Sequence, residues 1–165
     1  MDVLRTHYSA NPVDGLRLVE QPECNREVMK PRGLWYGVDG EWEEWCRSEM
    51  PEWLTGGLLY SVRLGSERVL RIATLADLDS FAAEYRLADP VSSYFGGIDW
   101  RKVADRFDGI EIAPYQWRRR LEPGWLWYYG WDCASGCVWR PRDMTLELIR
   151  DDRVAHPGGR PPGGG

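Results

Sequence analysis

The sequence lacks the long apolar runs and the excess of basic charge that mark membrane proteins and phosphate-binding proteins. No apolar segment approaches the roughly 20 residues that a transmembrane helix needs. The opening segment, MDVLRTHYSANPVDG, has an acidic residue where a secretory signal carries basic charge, and no apolar stretch follows. We therefore expect a cytoplasmic protein with no membrane partner. The net charge of −5 argues against a protein that mainly binds the nucleic-acid backbone, although Arg118, Arg119 and Arg120 form a local basic cluster.

Cysteine and histidine are also scarce. Four cysteines are too few for a disulfide scaffold in a chain of 165 residues. Cys133 and Cys137 lack the two-residue spacing of a zinc knuckle, and only His7 and His156 could add imidazole ligands. We expect no metal site. The cysteines are interpreted as reduced, buried thiols, with a Cys133–Cys137 redox pair as the alternative.

Common catalytic motifs are missing as well. The chain has no Rossmann fingerprint, phosphate-binding loop, nucleophile elbow or HExxH sequence. Its hydrophobic content of 43% nevertheless indicates a folded protein with a real core. The sequence predicts one domain over residues 1–152 and a disordered Pro/Gly-rich tail over residues 153–165.

Periodicity predicts a fold that mixes helices with strands. Thr74 and Asp77 form a capping-box pattern ahead of a helix, Asp99 is a candidate N-cap for a second helix over 100–107, and a third helix is predicted over 41–46. Strands are predicted over residues 58–64, 69–72, 109–113, 125–129, 137–139 and 145–149, with 125–129 and 137–139 paired through the DCASG turn. Because the helices fall between groups of strands without regular alternation, we predict an α+β fold with a mainly antiparallel, split sheet.

Three separated segments carry polar side chains that could form one site. They are RTHYS with His7, GLWYGV with Tyr36, and FDGIEIAPY with Glu111. Alternation along a strand places Ile110 and Ile112 on one face, so Glu111 must point to the other, toward water or into a cleft. By the same rule Trp35 is predicted to point inward and Tyr36 toward the cleft. Glu147 in TLELI is a rival carboxylate.

The run GLWYGVDGEWEEWC resembles a segment of poly(ADP-ribose) polymerases and related diphtheria-toxin-like ADP-ribosyltransferases. In that family a glycine, an aliphatic residue, an aromatic residue and a tyrosine precede a small residue and an Asp-led helix. LLYSVRLGSERVL is similar to the strand that follows. The order of His7, Tyr36 and Glu111 matches that of the family's H–Y–E triad, although Tyr8 stands where the family usually has glycine.

The resemblance implies an NAD-dependent ADP-ribosyltransferase that needs no metal. Tyr36 would stack on the nicotinamide, His7 would bind a ribose hydroxyl, and Glu111 would stabilise positive charge at the anomeric carbon. The predicted NAD-binding residues are His7, Tyr8, Ser9, Trp35 and Tyr36. The resemblance leaves open whether the acceptor is a protein, a nucleic acid, a small molecule or water, and whether the protein is a toxin, a phage-defence factor or a housekeeping enzyme.

Ten tryptophans support a competing class, a non-catalytic binding module. The candidate stacking residues are Trp35, Trp42, Trp45, Trp125, Trp127, Trp131 and Trp139. A strand over 125–129 would place Trp125, Trp127 and Tyr129 on one face. A third possibility is a protein-interaction domain that uses an acidic patch, formed by Glu41, Glu43, Glu44, Glu49 and Glu52.

Overall fold

The computed structural model describes residues 3–22, 29–88 and 97–153. Apart from its first residue, the tail predicted from position 153 lies outside these ranges, as do Cys24 and His156. The strands are β1 (Arg5–Ser9), β2 (Leu34–Val38), β3 (Leu58–Arg63), β4 (Val69–Ile72), β5 (Gly109–Ile112), β6 (Ser135–Val138) and β7 (Thr145–Asp151).

These strands form one sheet in the order β4-β5-β6-β2-β1-β3-β7. Within this sheet β4 and β5 run parallel, and the other neighbouring pairs are antiparallel. The predicted α+β class with a mainly antiparallel sheet is therefore confirmed. The sheet is continuous across the described strands, whereas a split sheet was predicted.

Four α-helices lie in the described ranges, and two of them begin at the predicted caps. They are α1 (Glu41–Glu49), α2 (Leu75–Tyr85), α3 (Trp100–Arg106) and α4 (Leu126–Tyr129), with short 3-10 helices at Pro51–Leu54 and Trp117–Arg119. Thr74 and Asp77 form the capping box of α2, and the Asp99 carboxylate accepts a hydrogen bond from the Lys102 amide at the start of α3. No helix in the described ranges is long and apolar enough to cross a membrane.

The segment predicted as a strand over 125–129 is a single helical turn, so that prediction is wrong. Trp127 and Tyr128 are fully buried and Tyr129 is 47% exposed, so Trp125, Trp127 and Tyr129 do not form one strip. The ring of Trp127 packs against Phe81 and Trp100 at 5.6 and 5.9 Å between centroids. This burial outweighs the preference of aromatic residues for strands, which depends strongly on context. The predicted partner segment pairs instead, as β6, with β2 and β5.

The core explains many of the tryptophans. Trp100, Trp127, Trp131 and Trp139 are among the largest fully buried side chains. Ile110 and Ile112 of β5 belong to the same core, which also contains residues of α2 and α3. By contrast, Trp35, Trp42 and Trp45 are half-buried and Trp53 is 50% exposed. Packing therefore accounts for the first group, and the second is available for contact with a ligand.

Candidate functional site

The sheet brings Tyr36 and Glu111 together across β6. Glu111 lies opposite Gly136 on β6, and Gly136 lies opposite Tyr36 on β2. A Cβ atom at Gly136 would overlap the Cζ and hydroxyl oxygen of Tyr36, so only glycine leaves room for the ring to cross the strand. The Tyr36 hydroxyl then donates to Glu111 Oε2 at 3.0 Å.

The Glu111 carboxylate is already fully engaged by protein groups. Arg5 donates from Nε to Oε2 at 2.6 Å and from Nη2 to Oε1 at 3.1 Å, and Arg71 donates from Nη1 to Oε1 at 2.7 Å. Glu111 is only 4% exposed. Burial alone would raise the pKa of Glu111, but the hydrogen bond and charge of Arg5, with help from Arg71 and Tyr36, lower it overall. The geometry is that of an ionised carboxylate that links β5 to β1, β2 and β4.

Tyr36 is enclosed rather than presented outward. It is 2% exposed, and burial, followed by the negative charge of Glu111, raises its pKa well above the ordinary value. The phenol therefore keeps its proton and acts as a donor to Glu111. Its neighbour Trp35 is half-buried and borders an open cleft, so Trp35 is the more exposed of the two residues, whereas it was predicted to point inward. Tyr36 still contributes to the lining of this cleft.

His7 lies on β1 and borders the same cleft. Its Nδ1 is 2.6 Å from the carbonyl oxygen of Trp35. A carbonyl can only accept, so we assign the proton to Nδ1, which leaves Nε2 as an acceptor in the neutral ring. Burial lowers the pKa of His7, and the hydrogen bond to Trp35 offsets this only in part. The neutral imidazole is thus a hydrogen-bonding group of the cleft.

We call this opening the aromatic cleft. Its volume is about 230 Å³, and it is lined by Thr6, His7, Tyr8, Lys30, Trp35, Tyr36, Gly37, Trp42, Trp45, Trp53, Trp131, Asp132 and Ser135.

Three pairs of rings form its walls. Trp35 meets Trp131 edge to face at 4.8 Å between centroids, Tyr8 lies 5.8 Å from Trp42, and Trp45 lies 5.8 Å from Trp53.

The close approach of α1 to β2 positions part of this wall. A Cβ atom at Gly37 would lie 2.7 Å from the Cβ of Trp42, so the glycine permits Trp42 to rest directly on the strand. The apolar spacing within EWEEWC predicts this helix, and Trp42 and Trp45 are both half-buried on it. This part of the cleft wall is therefore built from α1 packed directly on β2.

Two charged residues border the aromatic cleft. The ammonium group of Lys30 lies 5.0 Å from the centroid of the Trp35 ring. Asp132 has φ of 61°, a conformation that few non-glycine residues adopt, and its Oδ1 accepts from Arg120 at 2.9 Å. Sparsely populated backbone conformations often occur at binding sites, which is consistent with a ligand-binding role for this turn.

The structure brings together only part of the site predicted from the sequence. Of the predicted NAD-binding residues, His7, Tyr8, Trp35 and Tyr36 line the aromatic cleft. Ser9 ends β1, and its hydroxyl donates to the Asn11 carbonyl at 2.7 Å. Glu111 instead borders a second cavity of about 370 Å³. Glu147, the rival carboxylate, is an exposed residue of β7.

Sequence reasoning missed Lys30, Trp53 and Asp132, and it did not place Trp131 beside Trp35. The signals available in the sequence, a turn at Gly130 and a Trp-Asp pair, do not reveal that β6 lies next to β2. That neighbour relation is what carries residues 131–135 to the cleft.

The remaining predicted groups have ordinary structural roles. Cys46, Cys133 and Cys137 are free and buried, and burial raises the pKa of Cys46 to about 11 and that of Cys133 to about 12. Among the described residues no cluster of three His, Cys, Asp or Glu could hold a metal ion. In the acidic patch, Glu43 is 8% exposed and accepts from Arg47 and Arg150, so it offers no free charge to a partner.

Comparisons of the chain with protein-family models, with curated proteins and with solved structures gave no match. The case for a function therefore depends on the geometry of the site.

Proposed function

We propose that the protein binds a small ligand through a flat ring that enters the aromatic cleft. The observation that carries this proposal is the arrangement of three ring pairs around an opening of about 230 Å³. This volume is below the range of about 300–1,000 Å³ common for drug-sized ligands. It suits one ring system with short substituents, or one end of a longer ligand.

The polar groups of the cleft can orient such a ring. His7 offers Nε2, and Lys30 and Asp132 border the opening. A few convergent polar groups in a mostly aromatic pocket are typical of small-molecule sites. This is the binding-module interpretation of the tryptophans, with Trp35, Trp42 and Trp45 kept from the predicted set and Trp53 added. The buried Trp131 supports the ring of Trp35 from the core.

A matched pair of tryptophan variants tests the proposal. Nicotinamide and adenosine are titrated against the wild-type protein, Trp53→Leu and Trp117→Leu by calorimetry. Trp53 borders the cleft at 50% exposure, whereas Trp117 is 64% exposed and is not among the cleft residues. We expect Trp53→Leu to weaken binding at least about fivefold, since stacking on one aromatic ring contributes about 1–3 kcal/mol. Trp117→Leu should bind like the wild type. Equal effects of the two variants, or no binding of either ring, would contradict the proposal.

A second candidate is the NAD-dependent ADP-ribosyl transfer that the family resemblance implies. The observation in its favour is that His7 of β1 and the Trp35-Tyr36 pair of β2 border one cleft of a size that suits a nicotinamide ring. In this hypothesis NAD is the substrate, and the acceptor, a protein or a nucleic acid, is unassigned.

Glu111 is not among the residues that line the aromatic cleft. Its oxygens are occupied by Arg5, Arg71 and Tyr36, and it borders a different cavity from His7. Among the described residues that line the aromatic cleft, the carboxylate is that of Asp132.

Nicotinamide release from NAD, measured with cell lysate present as a source of acceptor, tests the transferase hypothesis. If Glu111 contacts the ribose, Glu111→Gln lowers the rate per folded molecule by at least about 10²-fold, as expected for loss of one electrostatic stabiliser. If Asp132 has that role, Asp132→Asn gives the loss instead. Intact NAD with the wild-type protein would eliminate the transferase and leave the ring-binding proposal standing.

A further inference from the structure

We propose that the ring bound in the aromatic cleft carries an anionic group, a carboxylate or a phosphate, and that Lys30 is its counter-ion. This inference deepens the ring-binding function and rests on it. It names the charge of the ligand and the residue that selects for it.

The position of Lys30 is set by the protein on two sides. Its ammonium group lies over the ring of Trp35 at 5.0 Å from the centroid. Its stem passes Gly130, where an added Cβ atom would come within 3.0 Å of Lys30 Cε. The side chain therefore runs between the turn before Trp131 and the face of Trp35, and both tryptophans border the cleft.

Among the residues that the structure describes, Lys30 has no direct ionic partner at the cleft. Within the described parts of the chain, no carboxylate forms an ion pair with Lys30. Asp132, an acidic residue of the cleft lining whose charge acts on Lys30, is already paired with Arg120 at 2.9 Å. His7 is a neutral ring whose pKa is lowered by burial. As far as the described residues show, the cleft thus presents one positive charge beside its aromatic walls that no carboxylate pairs with directly.

An anion on the ligand would supply the negative charge that no described residue places in direct contact with Lys30. Although Lys30 is exposed at the rim, the surrounding protein lowers its pKa through desolvation, so the charged form gains from a nearby negative group. An ammonium has three donors and fits either a carboxylate or a phosphate oxygen as a point charge. A cationic ring, in contrast, would meet repulsion from Lys30 over Trp35.

Two pairs of probes separate the effect of the ligand's charge on affinity from the effect of its ring. Nicotinamide is compared with nicotinate, and adenosine with adenosine 5′-monophosphate, at pH 7.5 by calorimetry. We expect the anion of at least one pair to bind about fivefold more tightly than its neutral partner. This corresponds to the roughly 1 kcal/mol expected of two unit charges about 4 Å apart in water. The preference should shrink at high salt because exposed charges are screened.

Variants assign that preference to Lys30. Lys30→Met should abolish the preference for the anion and keep binding of the neutral ring, whereas Lys30→Arg should retain most of it. Lys102→Met is the matched control, because it removes the same charge from a site where Lys102 Nζ donates to the Glu84 carbonyl.

The outcomes separate the two proposals. Equal binding of the neutral and anionic probes, or an unchanged preference in Lys30→Met, would overturn this inference and leave ring binding intact. Failure of all four probes to bind would overturn the ring-binding function, and the inference with it.

Discussion

Glu111 joins four strands through one carboxylate. It lies on β5 and accepts from Arg5 of β1, Tyr36 of β2 and Arg71 of β4. Its bond to Arg5 is the best shielded of the ion pairs between described residues, with side-chain exposures of 11% and 5%. Arg71 is 56% exposed and contributes less, because water screens its charge.

We expect Glu111→Gln to lower the free energy of unfolding by about 3 kcal/mol. Removing one member of a buried ion pair leaves the other charge, here that of Arg5, without compensation. Urea denaturation followed by circular dichroism measures the change.

Glu147→Gln is the matched control for this substitution. Glu147 lies on the exposed strand β7, and its substitution should change stability by less than about 0.5 kcal/mol. Similar losses in the two variants would show that Glu111 has no special structural role.

At the scale of elements, the contact between β2, β6 and β5 depends on the absence of a side chain at Gly136. We expect Gly136→Ala to destabilise the protein by about 1–3 kcal/mol, because the added methyl group overlaps the Tyr36 ring and must displace it from Glu111.

A double-mutant cycle with Tyr36→Leu tests the cause. In the Tyr36→Leu background the ring is gone, so Gly136→Ala should cost much less than in the wild type. Additive losses in the cycle would mean that the alanine acts through the backbone of β6 and not through Tyr36.

The sequence predicted those elements whose signals are local. The capping box at Thr74 and Asp77 and the N-cap at Asp99 each mark a helix start correctly, because a cap needs only the residues beside it. The strand at Val69–Ile72 is also found at its predicted position. The helical turn at Leu126–Tyr129 was missed since its conformation depends on burial of Trp127 among distant residues.

The same distinction holds for the site. Tyr8 and Trp35 could be placed near His7 from short segments of neighbouring strands. Trp131 and Asp132 could not, because their position follows from the insertion of β6 between β2 and β5. The sequence predicted that Glu111 and Tyr36 lie close together. It did not predict that two arginines occupy the Glu111 carboxylate, because that contact depends on strand order.

At the scale of the whole molecule, two buried carboxylates bind arginines from separate segments of the chain. Asp108, fully buried after α3, accepts from Arg140 and Arg142 and from the Arg68 amide, and Glu111 accepts from Arg5 and Arg71. Burial alone would raise both pKa values, but the hydrogen bonds and arginine charges lower them overall. Each carboxylate is thus more acidic in the folded protein than in the unfolded chain.

Because the folded pKa values are depressed, the stability that these groups contribute is fully present above their ordinary values, 3.8 for Asp and 4.5 for Glu. It is lost as pH falls below those values toward the folded pKa, since the unfolded chain then binds more protons.

We expect the wild-type protein to lose stability steeply below about pH 4.5. An Asp108→Asn, Glu111→Gln double variant should be less stable at pH 7, but its stability should change much less on acidification. Urea midpoints between pH 7 and pH 3 measure this slope, with Glu147→Gln expected to follow the wild-type curve. If the urea midpoint of the double variant fell with pH as steeply as that of the wild type, the acid sensitivity would arise from other carboxylates. The two arginine-bound carboxylates would then not control how stability depends on pH.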